Sequence, residues 1–410
     1  MNRVALLTET FLSETLLDTL QTLQVPTYAP DGLSARLSAR GLAMISETTL
    51  KSKLADPGCV VYVNSEGVLP LVAAHHGNAA VGHAVRLFKD KVAFRRFLSK
   101  HYPDFFFREV PASQADLFRA PADRAFILKP AVGFFALGVR RFQGADEYRC
   151  AVRQALDEIA KHQGMMGKGV LDDSRFLIEE EIVGEEYACD AYYDAKGNAV
   201  VTGVYHRAFR DGNDARQLLY YTGASLVQKL LPQIQDFLSL FSKETGVVNF
   251  PVHVEFRATP DGKLVPIEVN PLRFGGFGLA DVTMHAFGIN PYQAFLEGQA
   301  PDWTEILSRP AIVDHAYHGF VLGQMDGITV PDVEKFKKTF RTLNGFVALD
   351  VKRFPVFCTA YPRTDDLNEL YKYLHADFSQ YNAAPTPVTP TLAAPTPALR
   401  ETPVAMAVVC

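Results

Sequence analysis

Hydrophobic and polar positions along this chain follow two periods. Residues 3–8 and the run Val60-Val61-Tyr62-Val63 are continuous apolar segments of strand length, and residues 12–24 carry the three-to-four spacing of a helix. Strands alternating with helices predict a small α/β unit over residues 1–88. Residues 89–101 predict a basic amphipathic helix, with Phe88, Val92, Phe94 and Phe97 as its apolar content. Residues 125–130 read as a strand ending at Pro130, followed by a loop over 132–139 and a helix over about 145–163. Residues 175–186 read as a strand entering a turn, and 187–206 as a hairpin about Lys196-Gly197-Asn198. A helix over 228–245 stops at Gly246. Further on, 313–322 and 346–357 predict strands, and 331–341 and 365–375 predict helices, which together make an α+β unit over 301–381. Residues 382–410 are rich in Pro, Thr and Ala and contain Ala-Ala-Pro-Thr-Pro twice. They offer few large side chains for burial and are expected to be disordered.

The segment with most chemical content is Pro251-Val252-His253-Val254-Glu255-Phe256, then Asp261-Gly262, then Ile267-Glu268-Val269-Asn270-Pro271-Leu272-Arg273-Phe274-Gly275-Gly276. Two short strands about an Asp-Gly turn form a hairpin. A two-residue turn pairs Pro260 with Lys263, which sets Glu255 opposite Glu268 and His253 opposite Asn270. Val252, Val254 and Phe256 then share one face with Val265, Ile267 and Val269, and the polar four share the other. Directly opposed like charges are destabilising at a Cβ separation of about 4.5–5.5 Å. A cation between the carboxylates removes the conflict. Two carboxylates and an amide oxygen are hard ligands that suit Mg²⁺ rather than zinc. A solvated hairpin with scattered charges is the plain alternative. Asn270 on the carboxylate face and an Arg in the Gly-flanked loop that follows speak for the metal.

The chain has 410 residues, 48% of them hydrophobic, which suffices for two or three domains with cores of their own. A net charge of −5 provides no field favouring nucleic acid or an anionic membrane. The first residues lack the apolar core of a signal peptide, and no run of about 18 apolar residues occurs. The five cysteines are far apart and show neither paired metal spacing nor a disulfide framework. A reducing, cytoplasmic setting is expected. The first unit lacks Gly-x-Gly-x-x-Gly, and neither a P-loop nor a Gly-x-Ser-x-Gly elbow is present. His75, His76 and His83 have no Cys or spaced carboxylate beside them to make a metal site. Asp314, Ala316 and His318 alternate onto one strand face, which is either a substrate-lining surface or an ordinary half-buried one.

Two further clusters are weak alone. Lys129 ends a strand and precedes a loop with Gly133 and Gly138, where a Lys can pair with phosphate oxygens covered by backbone N–H groups. In the stretch from Glu179-Glu180-Glu181-Ile182 to Gly184-Glu185-Glu186, backbone groups of an interdomain hinge can read an adenine edge. A Glu there can accept both ribose hydroxyls, although an acidic surface turn explains the same residues.

Taken in order, Lys91, Lys129 with its Gly loop, the 179–186 hinge, Glu255, and Glu268-x-Asn270-Pro-x-Arg273 resemble the ATP-grasp superfamily of carboxylate–amine ligases, over roughly residues 89–300. The Glu-x-Asn-Pro-x-Arg segment is the specific part. The resemblance implies an α/β, or α+β, ATP-grasp fold: a pre-ATP-grasp unit over 1–88, a two-lobed region over 89–300 with a lid at about 120–186, and a C-terminal subdomain over 301–381. It implies that Lys91 and Lys129 contact phosphates, that Glu179, Glu180 and Ile182 belong to the adenine hinge, and that Glu186 binds ribose. Glu255, Glu268 and Asn270 would hold Mg²⁺, or Mn²⁺ in its place, with Glu268 bridging two ions. Arg273 would face the transferred phosphate, with Lys129 as the second catalytic group. The basic residue near the γ-phosphate is His206, Arg207 or Arg210. The loop departs from the family in having the bulky Phe134-Phe135-Ala136-Leu137 where Ser and Gly are usual.

The implied activity is ATP-dependent joining of a carboxylate to an amine through an acyl phosphate, with ADP and phosphate released. The partners are a small-molecule acid and amine, with amino acids the first candidates; no nucleic acid or membrane is implied, and a homodimer is compatible. A bicarbonate-activating carboxylase-type enzyme and a non-catalytic ATP-binding module are the alternatives. The missing biotin-carrying Met-Lys-Met segment and the short C-terminal unit speak against the first, and the intact Glu/Glu/Asn/Arg set against the second.

Overall fold

The structure, a computed structural model, describes residues 2–133, 137–163, 174–210 and 219–383. Three expectations lie wholly or partly outside these residues: the bulky part of the loop at 134–136, the end of the basic segment beyond residue 210, and the tail from residue 384. Strands β1 (Arg3–Leu6), β2 (Thr27–Tyr28) and β3 (Val60–Val63) form a parallel sheet in the order β2-β1-β3. Val4 and Leu6 enter one apolar cluster while Ala5 and Leu7 enter another. The segment is thus covered on both faces, as parallel strands require, and this explains its continuous apolar run.

Strands β4 (Phe107–Pro111), β5 (Ala125–Pro130), β6 (Arg140–Gln143) and β7 (Arg175–Glu180) form an antiparallel sheet in the order β4-β7-β5-β6. The helix Gly144–Gln163 contributes Tyr148, Ala155 and Ile159 to a core with Phe126, Phe142, Phe176 and Ile178.

The largest sheet has eight strands: β8 (Glu186–Tyr193), β9 (Ala199–Ala208), β10 (Leu219–Thr222), β11 (Phe250–Ala258), β12 (Leu264–Pro271), β13 (Tyr317–Gln324), β14 (Leu343–Ala348) and β15 (Val356–Thr364). Their order is β12-β11-β8-β9-β10-β13-β15-β14. The C-terminal strands therefore continue the central sheet, joined through Tyr220 opposite Phe320. Two local expectations change here. The segment before Tyr317 is a succession of turns, with Ile312 N–H donating to Arg309 O and Ala316 N–H to Val313 O. The expected strand over 346–357 is two strands, parted by a turn in which Arg353 N–H donates to Asp350 O. The chain is held to the fold through Asn382, whose amide donates to Gly327 O at 2.7 Å and accepts from Thr329 N–H at 2.8 Å.

The helix Ala224–Thr245 starts four residues before the expected position, because Gly223 supplies no side-chain cap that a sequence could signal. It ends as expected at Gly246, at φ +66°. Its Val227, Leu230, Ile234, Leu238 and Phe241 pack in one cluster with Cys189, Val204, Val252 and Val254. One face of the central sheet is thereby closed, and on the opposite face Ala188, Tyr205, Tyr220 and Phe320 pack with Leu279 and Val282 beside the polar side chains.

A buried joint ties the first unit to the central region. Ser13 caps the helix Glu14–Thr22 by accepting from Leu16 N–H, and its hydroxyl lies 2.6 and 2.9 Å from the two oxygens of Asp281. Burial pushes the Asp281 carboxyl up to about 6, against the opposing effect of hydroxyls from Ser13, Tyr292 and Thr15. An unfolded chain releases this proton near pH ~4, before the folded one does. Stability contributed here is therefore present at low pH and lost between about pH 4 and 6, on the order of 3 kcal/mol. Asp281→Asn is expected to remove that part of the slope. Urea unfolding across the pH window checks it: the unfolding free energy of wild type minus that of the variant should fall as pH rises from about 4 to 6 and level off near neutrality, whereas a constant difference would mean an ordinary carboxyl.

Candidate active site

The β11–β12 hairpin carries the densest set of charges. Its turn has three residues rather than two: Thr259 N–H donates to Lys263 O at 2.9 Å and Gly262 N–H to Thr259 O at 2.8 Å. Gly262, at φ +83°, takes the left-handed position such a turn needs. Pairing near the turn shifts accordingly, with Arg257 opposite Val265 and Phe256 opposite Pro266. The expected apolar face is corrected there, since Leu264 joins Val252, Val254, Phe256 and Val269 in the cluster in place of Val265 and Ile267. A bulge between Glu255 and Phe256 then shifts the register back. Beyond it Glu255 stands opposite Glu268 and His253 opposite Asn270, as the sequence predicts.

Both carboxylates are mostly buried, and their surroundings push them apart. Burial and the facing Glu268 raise the Glu255 carboxyl, with Arg207 opposing. Burial also opposes ionisation of Glu268, yet the ammonium groups of Lys91, Lys89 and Lys129 hold it below the usual carboxylate range. Lys91 Nζ lies 3.0 Å from Glu268 Oε1 and donates to Gly133 O at 3.1 Å. Lys91 opens a helix capped by Asp90, which accepts from Val92 and Ala93 N–H and is held by Arg175 of β7 at 2.9 Å. On the other side Arg207 Nη1 lies 3.6 Å from Glu255 Oε2. Of the three basic candidates, Arg207 thus stands beside the pair, while His206 is turned to Glu185 at 2.7 Å.

Asn270 and His253 are buried on the same face. Among the described residues no group of three or more His, Cys, Asp or Glu side chains is spaced to hold a metal. Two opposed carboxylates and an amide are hard donors that could hold a divalent cation such as Mg²⁺.

Arg273 sits in a loop pinned from several directions. Leu272, at φ +61°, donates its N–H to Pro251 O at 2.7 Å and accepts from Val63 N–H at 2.9 Å. A leucine in this conformation is strained, and such strain persists where surrounding bonds over-determine it. Gly275 N–H donates to Asp190 Oδ1 at 2.8 Å. Arg273 Nη2 lies 3.2 Å from Glu66 Oε1, and Glu66 also pairs with Lys89.

Asp190 is fully buried in β8 and joins several parts of the site. Besides Gly275 it accepts from Tyr205 Oη at 3.0 Å and pairs with His253 Nδ1 at 2.8 Å. The opposite ring nitrogen of His253 lies 3.8 Å from Glu255 Oε1. One carboxylate therefore orients both the Arg273 loop and the imidazole beside Glu255. Sequence reading passed over Asp190, Glu66, Lys89 and Arg95. The available signal was an Asp within the otherwise apolar strand Tyr187–Tyr193, because a carboxylate placed there needs buried partners.

The hinge residues are less free than expected. Glu179 is buried between Lys129 and Arg95, with Arg95 Nε donating to Glu179 Oε2 at 2.5 Å and Arg95 Nη1 to Pro266 O at 2.8 Å. Its side chain holds Lys129 and Arg95 in place. Glu180 accepts from Phe106 N–H and Arg124, both at 3.0 Å. Ile182 O accepts from Arg257 at 3.3 Å, and Glu186 is held by Arg207 at 2.6 Å and Arg257 at 3.1 Å. Gly184 is required, since a Cβ there would lie 1.8 Å from Ala258 O.

Residues 122–281 match the ATP-grasp domain family. No curated protein sequence matches the chain. Among solved structures, an L-amino acid ligase from Bacillus licheniformis is similar at TM-score 0.62 and 17% identity, over 92% of this chain and 97% of that one. N5-carboxyaminoimidazole ribonucleotide synthetase from Thermotoga maritima follows at 0.60 and 14%, over 92% and 98%. Biotin carboxylase from Campylobacter jejuni stands at 0.59 and 12%, over 90% and 89%. At these identities the likeness is one of fold.

Asp190→Asn keeps the volume of the side chain but leaves one of its three partners facing an NH₂ group. Outer partners of metal ligands typically carry about ten- to a hundredfold in affinity. The variant is expected to weaken Mg²⁺-dependent ADP binding by that factor, as read by calorimetry over a Mg²⁺ series. Unchanged Mg²⁺ dependence would make Asp190 a folding residue alone.

Proposed function

We propose that this chain, whose residues 122–281 match the ATP-grasp domain family, is an ADP-forming ligase joining a small carboxylic acid to an amine. The observation that carries the proposal is the buried opposition of Glu255 and Glu268 beside Asn270, flanked by Lys91, Arg207 and the pinned Arg273. In this reading Glu255, Glu268 and Asn270 would hold Mg²⁺, which would supply charge neutralisation at the phosphates. Lys91 and Lys129 contact phosphates, and Arg207 is the third cation. The backbone of residues 180–182 receives adenine, and Glu186 shares its oxygens between its arginines and the ribose hydroxyls.

The chemistry follows from positioning and charge rather than from a protein nucleophile. A substrate carboxylate oxygen attacks the γ-phosphorus, the bond to the β–γ bridging oxygen breaks, and ADP leaves. The amine nitrogen then attacks the acyl carbon and phosphate departs, leaving an amide. Arg273, with its planar fork, suits the phosphoryl oxygens in both steps. The sheet β4–β7 acts as a lid whose closure excludes water, which would otherwise hydrolyse the acyl phosphate. Glu66 orients Arg273 from the first unit, so the acid and amine would enter between that unit and the hairpin. A cytoplasmic setting would supply the ATP.

The test is ADP release with a panel of carboxylic acids and amino acids, singly and in pairs, with Mg²⁺ present. Release that needs both an acid and an amine is expected, and Glu268→Gln should reduce it at least about a hundredfold, the scale of losing a principal electrostatic contact to a reacting charge. Near-wild-type release in that variant, or release driven by bicarbonate without any amine, would contradict the reading.

A further inference from the structure

A cavity of about 400 Å³ lies where β10 ends and β13 begins, and it shares no lining residue with the candidate active site. His285, from the helix Asp281–Phe287, and His318, from β13, face it together with Arg309 and Arg363. His318 stands opposite Thr222 on one side and Arg363 on the other, so the sheet register places the imidazole and the guanidinium side by side. Asn344 Nδ2 is 3.4 Å from His318 Nδ1. Among the described residues no Asp or Glu lines the cavity. The rest of the wall is small or apolar and includes Phe287, Ile312 and Val313.

The cationic groups are held but not consumed. Arg363 reaches Asp365 at 3.1 Å, and Arg309 makes a two-pronged contact with Glu305 at 3.1 Å for each prong. These carboxylates stand outside the lining and orient the forks while leaving further N–H donors for a ligand. Burial, with the neighbouring Arg363 and His285, lowers the His318 imidazole to about 4. The neighbourhood is thus already positive, and an entering anion would relieve it. Of the strand face singled out in the sequence, Ala316 and His318 line this cavity, whereas Asp314 instead offers its backbone carbonyl to Ser225 Oγ at 2.6 Å.

We propose that this cavity binds a small organic acid, its carboxylate received by Arg363, Arg309 and the two imidazoles and its apolar body lying against Phe287, Ile312 and Val313. A charge-assisted fork on a carboxylate gives head-group selectivity, and the apolar wall selects against a bare inorganic ion. The inference is independent of the reaction assigned to the ATP-grasp centre.

The experiment is calorimetric titration of hexanoate into the protein saturated with MgADP. Saturable binding of one hexanoate per chain is expected, with none for the neutral isostere hexanamide and little for inorganic phosphate. Arg363→Met and the more exposed Arg309→Met should each weaken hexanoate at least about tenfold, the scale of a lost hydrogen bond to a charged group. Arg273→Met, in the candidate active site, should leave it unchanged. Absence of hexanoate binding would overturn the proposal. So would equal binding of hexanamide, stronger binding of phosphate, indifference to both Arg363→Met and Arg309→Met, or loss in Arg273→Met.

Discussion

Two carboxylates, Glu255 and Glu268, face each other across neighbouring strands where water is scarce, and much of the surrounding structure answers that conflict. Like charges opposed on a sheet are unfavourable at the surface and more so in a low-dielectric interior. The fold brings a cation to each flank: Lys91 to Glu268 and Arg207 to Glu255. Neither cation belongs to the hairpin itself. Lys91 begins a helix whose cap, Asp90, is gripped by Arg175 of the four-stranded sheet, and Arg207 is steadied by Glu186 at the start of β8. The charge pattern of the hairpin therefore depends on the four-stranded sheet, the linking helix and the central sheet meeting in one place.

The Arg273 loop has the same character. A strained Leu272 is bonded to Pro251 within the hairpin and to Val63 at the end of the first parallel sheet, while Asp190 fixes Gly275 from beneath. Such convergence costs stability locally and recovers it through bonds from separate elements, which is the pattern of a preorganised site. Glu66 and Lys89 extend it toward the first unit, so that a substrate entering there would meet Arg273 already aimed.

Much of this was legible in the sequence, though not always for the reason supposed. The opposition of Glu255 and Glu268 follows in sequence from a two-residue turn; the three-residue turn and the later bulge cancel, so the pair stands while Leu264 takes the place of Val265 and Ile267 in the apolar cluster. Periodicity marked β1, β3 and β5 closely because their burial is set by local pattern. It could not show that β13 continues the sheet from β10, since strand adjacency across almost a hundred residues leaves no local trace. Ion-pair partners were equally hidden. Glu179 reads as a hinge residue in sequence, but its carboxylate is taken by Arg95 and Lys129 from elements 84 and 50 residues away. The ATP-grasp resemblance carried the order of the charged residues, and the geometry then distributed their partners.

The central claim is that the Glu255–Glu268 pair is a liability to the fold that a divalent cation relieves. The most direct measurement is the thermal stability of Glu255→Gln at pH about 8, with ADP present throughout and Mg²⁺ either chelated or added. Burial raises the Glu255 carboxyl, so removing its charge should raise the melting temperature of the metal-free protein and abolish the further rise that Mg²⁺ gives the wild type. A variant less stable than wild type without metal, and still stabilised as much by Mg²⁺, would contradict the account.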